Sequence, residues 1–304
     1  FLLRKNKSGS YDKELLIEGI PRATEARALD VDSDGDVDLA VAAFGGNNIG
    51  EIFWLENQGK NKNVKHILLN LSGALNITPV DLNTDGRMDF VSLISQEHEM
   101  IVAFIAGDNK EFNTHVIARA PHPMFGSTSM RMVDMDKDGD QDILFTNGDA
   151  YDTQMDPKPY HGVQWLENSG NLVFKFRDIG RSYGVASAMA GDIDGDGDMD
   201  VVASSFINYW DDKNRKSLVW FENDGSQHFQ QHNFVSPPPG IVSFEVGDFT
   251  GDGKLDILAG VCRFDILKIL MSNDDNAKAA AQNNTELWSR FIFLENKSLM
   301  KATH

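Results

Sequence analysis

Cysteine, sustained apolar runs and positive charge are all scarce in this 304-residue chain. The single cysteine, Cys262, excludes an intrachain disulfide framework, and its apolar surroundings read as a buried structural thiol rather than a nucleophile. No apolar run is long enough to span a bilayer, and the opening Phe1-Leu2-Leu3-Arg4-Lys5 is too short for a signal-peptide core. With 28 Lys and Arg against 46 Asp and Glu, the formal charge is -18, which argues against nucleic acid and bare anionic membrane as partners. A Gly-rich phosphate loop, a haem-attachment cysteine pair and a serine nucleophile elbow are absent as well. The first residue is not Met, so a leader or an upstream segment is expected to be missing from this sequence.

What the chain has is repetition. Asp30, Asp32, Asp34, Gly35, Asp36 and Asp38 form an alternating acidic loop that recurs as Asp81, Asn83, Asp85, Gly86, Arg87 and Asp89. It returns as Asp134, Asp136, Asp138, Gly139, Asp140 and Asp142, then as Asp192, Asp194, Asp196, Gly197, Asp198 and Asp200. The last copy is Asp248, Thr250, Asp252, Gly253, Lys254 and Asp256. Successive copies start 51, 53, 58 and 56 residues apart, a period that fits one four-stranded propeller blade per repeat.

The remainder of each repeat predicts strands. A short apolar run follows every loop: 39–43, 90–94, 143–145, 201–203 and 257–259. Next comes Trp54-Leu55-Glu56-Asn57, echoed at Trp165-Leu166-Glu167-Asn168 and Trp220-Phe221-Glu222-Asn223, with Phe104-Ile105-Ala106-Gly107 as a degenerate copy. A final strand carries Phe112, Phe174 or Phe229 with His115, Arg177 or His232 three residues on. The expected fold is therefore all-β, a β-propeller of four-stranded antiparallel blades read as one domain over 1–304. Five blades carry Asp loops, partial blades occupy the termini, and the full protein would have six or seven.

The loops have a chemical reading. Ca²⁺ takes six to eight oxygen ligands, and an Asp-x-Asp-x-Asp-Gly turn brings the side chains at positions 1, 3 and 5 and the carbonyl at 7 together. Glycine at position 6 permits the tight turn. An EF-hand would place Glu at position 12, but Val41, Ser92, Phe145, Ala203 and Ala259 stand there, so Asp at position 9 is expected to supply the later carboxylate. About five structural Ca²⁺ ions follow, and they would bring the formal charge of -18 to about -8. Asn83 and Thr250 at position 3 mark weaker sites, with blade five the weakest.

Across nearly its whole length the chain resembles the FG-GAP/VCBS repeat family, which includes the integrin α-subunit propeller. The resemblance implies that the loops join the first two strands of each blade on one face and hold Ca²⁺ structurally.

If the Asp loops occupy one face, the other connections emerge opposite, and there blades three, four and five carry long insertions: 147–161, 206–216 and roughly 263–289. Loops of this length inside a compact domain are usually functional or disordered. Their residues Tyr151, Tyr160, His161, Tyr209, Trp210, Asp212 and Arg215 suit a sugar-like or polar ligand, with Arg181 and Tyr183 on an adjoining connection. The 277–282 segment reads as one or two helical turns. The leading function is a binding or adhesion module for a glycan or extracellular protein, secreted or on a cell surface, with a periplasmic setting also open and further domains of a longer chain possible partners. The alternative is a lyase-like enzyme acting on polysaccharide through the same loops, with His161, Tyr160, Tyr209 or Arg215 as base, acid or carboxylate clamp.

Overall fold

The computed structural model describes residues 1–46, 49–59, 62–151, 154–210, 212–234, 240–262 and 291–297. The expected fifth insertion, including the helical segment 277–282, lies outside these residues. All regular elements among them are strands, and no described helix is long and apolar enough to cross a membrane. The chain divides into two compact units, Phe1–Met124 and Phe125–His304.

The first unit opens with a hairpin, β1 (Leu2–Lys5) and β2 (Tyr11–Glu14), clipped by an Arg4–Glu14 ion pair at 2.6 Å. Two four-stranded antiparallel sheets follow. Blade one is β3 (Ala23–Leu29), β4 (Asp38–Gly46), β5 (Ile49–Asn57) and β6 (Asn63–Leu69); blade two is β7 (Thr78–Val80), β8 (Asp89–Ile94), β9 (Met100–Ala106) and β10 (Phe112–Arg119).

The second unit repeats the plan. Blade three is β11 (Ser127–Val133), β12 (Asp142–Asn147), β13 (Gly162–Asn168) and β14 (Phe174–Arg181). Blade four is β15 (Val185–Gly191), β16 (Asp200–Ser205), β17 (Leu218–Asn223) and β18 (Phe229–Asn233). Blade five shows β19 (Ile241–Gly247), β20 (Asp256–Val261) and β21 (Phe291–Leu294). Every strand pairs with its sequence neighbour, so the sheets are the up-and-down blades of a β-propeller. The C-terminal Phe-Leu-Glu-Asn motif thus supplies the third strand of blade five.

Strand periodicity explains the core. Successive side chains of a strand point to opposite faces, and the second strand of each blade is apolar on both. In blade four, Val201 and Ala203 pack with Leu144, Trp165 and Phe221, while Val202 joins Phe244, Ile257 and Ala259 of blade five. Blade one behaves alike: Ala40 and Ala42 enter one cluster with Phe90 and Phe104, and Val41 and Ala43 enter another with Phe53. The small residues let neighbouring sheets approach, and each fully buried Val, Leu or Phe contributes about 1.5–3 kcal/mol.

The aromatic position of the third strand is closed by its partner on the fourth. Trp54 lies opposite His66 with ring centroids 4.3 Å apart, and His66 Nε2 meets Glu56 at 2.6 Å. Arg177 does the same for Trp165 and Glu167, and His232 for Trp220 and Glu222. His66, Arg177 and His232 are therefore structural.

Candidate functional site

All five Asp loops fold alike. The first-position aspartate, Asp30, Asp81, Asp134, Asp192 or Asp248, accepts the N–H of the sixth-position glycine at 2.9–3.1 Å. That glycine sits at positive φ, from 83° to 99°, where a side chain would be strained. The fifth-position aspartate, Asp34, Asp85, Asp138, Asp196 or Asp252, accepts the N–H of position 7 at 2.9–3.1 Å.

The ninth position does more than the expected ligation. Asp38, Asp89, Asp142, Asp200 and Asp256 each accept one backbone N–H from loop position 2 and one from the third-strand side through separate oxygens, and Asp256 takes the Thr250 N–H as well. The donors on the third-strand side are Asn57, Ala106, Asn168, Asn223 and Asn296, and these bonds measure 2.7–3.1 Å. One carboxylate therefore fastens the loop entry to the third strand in every blade. The Asn side chains return the tie, donating to carbonyls of Val37, Gln141, Met199 and Leu255.

The loops differ in how closely their carboxylates gather. Ligand atoms of Asp30, Asp32 and Asp38, of Asp134, Asp136 and Asp142, and of Asp192, Asp194 and Asp200 lie within 4.8 Å of one another, and each triad can hold a metal ion. Burial pushes Asp142 and Asp200 up to about 6, against the pull of their backbone donors. Burial, then the neighbouring Asp196 and Asp200, lifts Asp198 to about 7. Asp134 Oδ1 and Asp198 Oδ1 are buried with no hydrogen-bond partner among the described residues. Crowded, desolvated carboxylates with orphaned oxygens are the donor set of a hard divalent cation.

Blades two and five carry their own cations at position 7 instead. Arg87 pairs with Asp85 at 2.8 Å, and Lys254 stands 3.9 Å from Asp252. Thr250 Oγ1 donates to Asp256, whose pKa is lowered chiefly by the Asn296 N–H. Blade one is intermediate: its Asp32 belongs to a triad, yet Lys110 forms ion pairs with both Asp32 and Glu56. Side-chain hydrogen bonds from Lys110 and then His66 hold Glu56 at about 2.

At the opposite end of blades three and four, the connections between their second and third strands meet the turn that joins the two blades. Gly184 makes this approach possible, since a Cβ there would stand 1.5 Å from the carbonyl oxygen of Ile207. Tyr209 of blade four donates its hydroxyl to Asp156 at 2.6 Å and to the Pro157 carbonyl at 3.1 Å in blade three. Arg181 donates to the Tyr160 carbonyl at 2.7 Å. A cleft of about 260 Å³ results, lined by His161, Lys158, Arg181, Tyr183, Asn208 and Arg215 together with further amides and Lys216.

Of the residues singled out in the sequence, His161 and Arg215 line this cleft. Tyr160 packs edge-on against His161, and Tyr209 edge-on against Tyr183, so both support its wall. Asp212 pairs with Arg215 at 3.3 Å. Trp210 is half-buried and Tyr151 exposed beside Phe206, and neither is a lining residue.

A family model for the FG-GAP-like repeat matches residues 30–92, 134–203 and 206–259, over half of the chain. The chain belongs to the FG-GAP-like repeat family. Two matched segments open at the first aspartate of a loop and run through that blade into the second strand of the next, so the matched residues include those of the triads. Among curated proteins, this FG-GAP-like chain is 22% identical over 268 residues to the T-cell immunomodulatory protein homolog of Plasmodium falciparum (isolate 3D7). The match covers 77% of this chain and 36% of that relative, so the chain spans about a third of the relative's length. Among solved structures it is similar to a Bombyx mori GH32 beta-fructofuranosidase, with 10% identity, 72% and 52% of the two chains covered and a TM-score of 0.39. A GH43 beta-xylosidase/alpha-arabinofuranosidase from a compost microbial metagenome gives 13% identity, 85% and 89% coverage and a TM-score of 0.39. Likeness at this level carries no information on activity.

Sequence reasoning missed Lys158, Asn208, Gln231 and Asn233 of the cleft, which sit in three separate segments with no repeat in phase. It also missed Lys110, whose reach to the blade-one loop spans 78 residues.

Proposed function

We propose that this FG-GAP-like chain is a calcium-stabilised, extracellular binding module that engages a glycan or protein partner through the cleft between blades three and four. The observation that carries the reading is the division of labour within those blades: repeated carboxylate triads at one end, and a polar cleft of non-repeating residues at the other. Calcium is the fitting cation because the donors are carboxylate oxygens on a flexible turn, with the position-7 carbonyls as further ligands. The ion would neutralise the clustered charge and hold the loop closed. All five loops are proposed as sites, with blades three and four the strongest, blade one opposed by Lys110, and blades two and five weakened by Arg87 and Lys254. Millimolar extracellular calcium suits such a range of affinities.

Binding is favoured over catalysis by the character of the lining. His161 is held neutral by burial, and then by Lys158, with a pKa lowered to about 4, so it would serve as a weak base at best near neutrality. No carboxylate is among the lining residues to pair with it. The test is a glycan array run beside an assay for unsaturated sugar products, on one calcium-loaded sample. Retention of a glycan without product is expected; accumulation of unsaturated product would replace the binding reading with a lyase.

A further inference from the structure

The cleft between blades three and four gathers donors around one buried N–H in want of an acceptor. His161 is 1% exposed. Its Nδ1 accepts the backbone N–H groups of Lys158 at 3.3 Å and Gly184 at 3.4 Å, which assigns the ring proton to Nε2. That Nε2–H is buried and has no hydrogen-bond partner among the described residues. Arg215 Nε, by contrast, is ion-paired with Asp212 at 3.3 Å, and its guanidinium is held 4.4 Å over the Tyr183 ring. One orphaned N–H donor thus belongs to a small cavity whose wall also carries Arg215, Lys158 and Arg181. Such a donor is costly to leave unmade when buried, so a ligand that supplies an acceptor recovers that cost on binding.

The local charge points the same way. In a chain of formal charge -18, this lining holds Lys158, Arg181, Arg215 and Lys216 and no carboxylate. Asp156, Asp178 and Asp212 pair with the first three of these cations, yet all three carboxylates lie outside the lining. The remaining wall is Asn208, Asn214, Gln231, Asn233 and Ser182, groups that pair with hydroxyls as readily as with amides. At about 260 Å³ the cleft falls just below the range of ligand sites for drug-sized molecules, roughly 300–1,000 Å³. It therefore suits one sugar ring with a charged substituent better than an extended peptide.

We infer that this cleft recognises an anionic sugar residue, its carboxylate or sulfate oxygens accepting from His161 Nε2, Arg215 and Arg181 while the amide groups take its hydroxyls. This rests on the glycan-binding form of the proposed function and names its ligand class. The shared chemistry is a multi-oxygen anion on a sugar ring, and the probes separate the two sources.

The experiment titrates the full calcium-loaded chain with four probes: a glucuronate-bearing hexasaccharide, the same oligosaccharide with its carboxyls reduced to alcohols, a sulfated galactan hexasaccharide, and a hexaglutamate peptide. Binding of the glucuronate or sulfated probe at least about tenfold tighter than the reduced one is expected, as charged hydrogen bonds allow. Arg181→Gln should lose about the same factor. Arg215→Gln is a second variant, and calcium-loaded melting of both is to be measured so that loss of binding is read only from folded protein. Equal affinity for the acidic and reduced sugars, or no loss in either folded variant, overturns the anion assignment and leaves glycan binding standing. Binding of hexaglutamate alone overturns the inference and the glycan reading together.

Discussion

At one end of blades three and four, the turns from Asp134 to Asp142 and from Asp192 to Asp200 crowd carboxylates into a repeated loop, whereas at the other end residues 147–161 and 206–217 gather lysine, arginine and amide groups without repetition. The first end is fixed by bonds within each loop and recurs wherever the loop recurs. The second exists only because two particular blades lie side by side, with Tyr209 reaching across the join. A repeat protein can thus hold its stability in what the blades share and its specificity in what they do not.

The sharpest way to break that contrast is to remove the metal. Each site filled at a hundredfold excess over its dissociation constant adds about 2.7 kcal/mol, so chelation should lower the melting temperature by about 10 °C or more. A shift of no more than about 2 °C would remove calcium from the account of stability.

A second test separates the ion from the ninth-position tie. Asp200→Ala leaves the N–H groups of Ile193 and Asn223 without their acceptor and should cost about 2–4 kcal/mol whether or not calcium is present. Asp256→Ala should likewise destabilise blade five, whose described residues form no carboxylate triad. Thermal melts with and without chelator decide the matter: if the loss from Asp200→Ala vanishes in chelator, the residue acts through the metal alone.

Ranking of the loops should follow their charge. Asp194→Ala removes a carboxylate from a triad and should cost about 2–3 kcal/mol in calcium, while Thr250→Ala loses one hydrogen bond and should cost about 1 kcal/mol. In chelator the order should reverse, since removing Asp194 then relieves repulsion. Denaturant titrations showing equal losses in calcium would mean that carboxylate number does not set site strength.

The smallest effect belongs to the opposite end. The folded pKa of His161, lowered to about 4, lies below the unfolded value near 6.5, so between these the unfolded chain binds the extra proton and stability falls as pH falls. His161→Gln should therefore narrow its stability deficit against the parent chain as pH drops from about 6.5 to about 4. A difference that stays constant through that window would show that the ring is not held neutral.

Most of the fold was legible because it is written five times. The apolar second strands and the Trp-x-Glu-Asn third strands carry a period-2 signal in phase with each loop. The first strands were harder to see: β7 is three residues long and contains Pro79, and β3 reads as Ala-Thr-Glu-Ala-Arg-Ala-Leu with little apolar alternation. The carboxylates of the loops were legible by spacing, but the tie made by Asp38 and its counterparts was not, because its partners are backbone N–H groups that leave no mark on residue type. Ala106 serves as well as Asn57. In the cleft, His161 and Arg215 could be picked from long insertions, whereas Gln231 and Asn233 look like ordinary edge-strand residues until the neighbouring blade is placed beside them.

That same tie bears on how such an array diverges. After a blade is duplicated, substitutions such as Asn83, Arg87, Thr250 and Lys254 can erode its ion site while Asp89 or Asp256 still fastens the turn to the third strand. Metal content is then free to drift copy by copy without unravelling the pleat, and a calcium titration of this chain should fill its loops in separate steps rather than as one cooperative event.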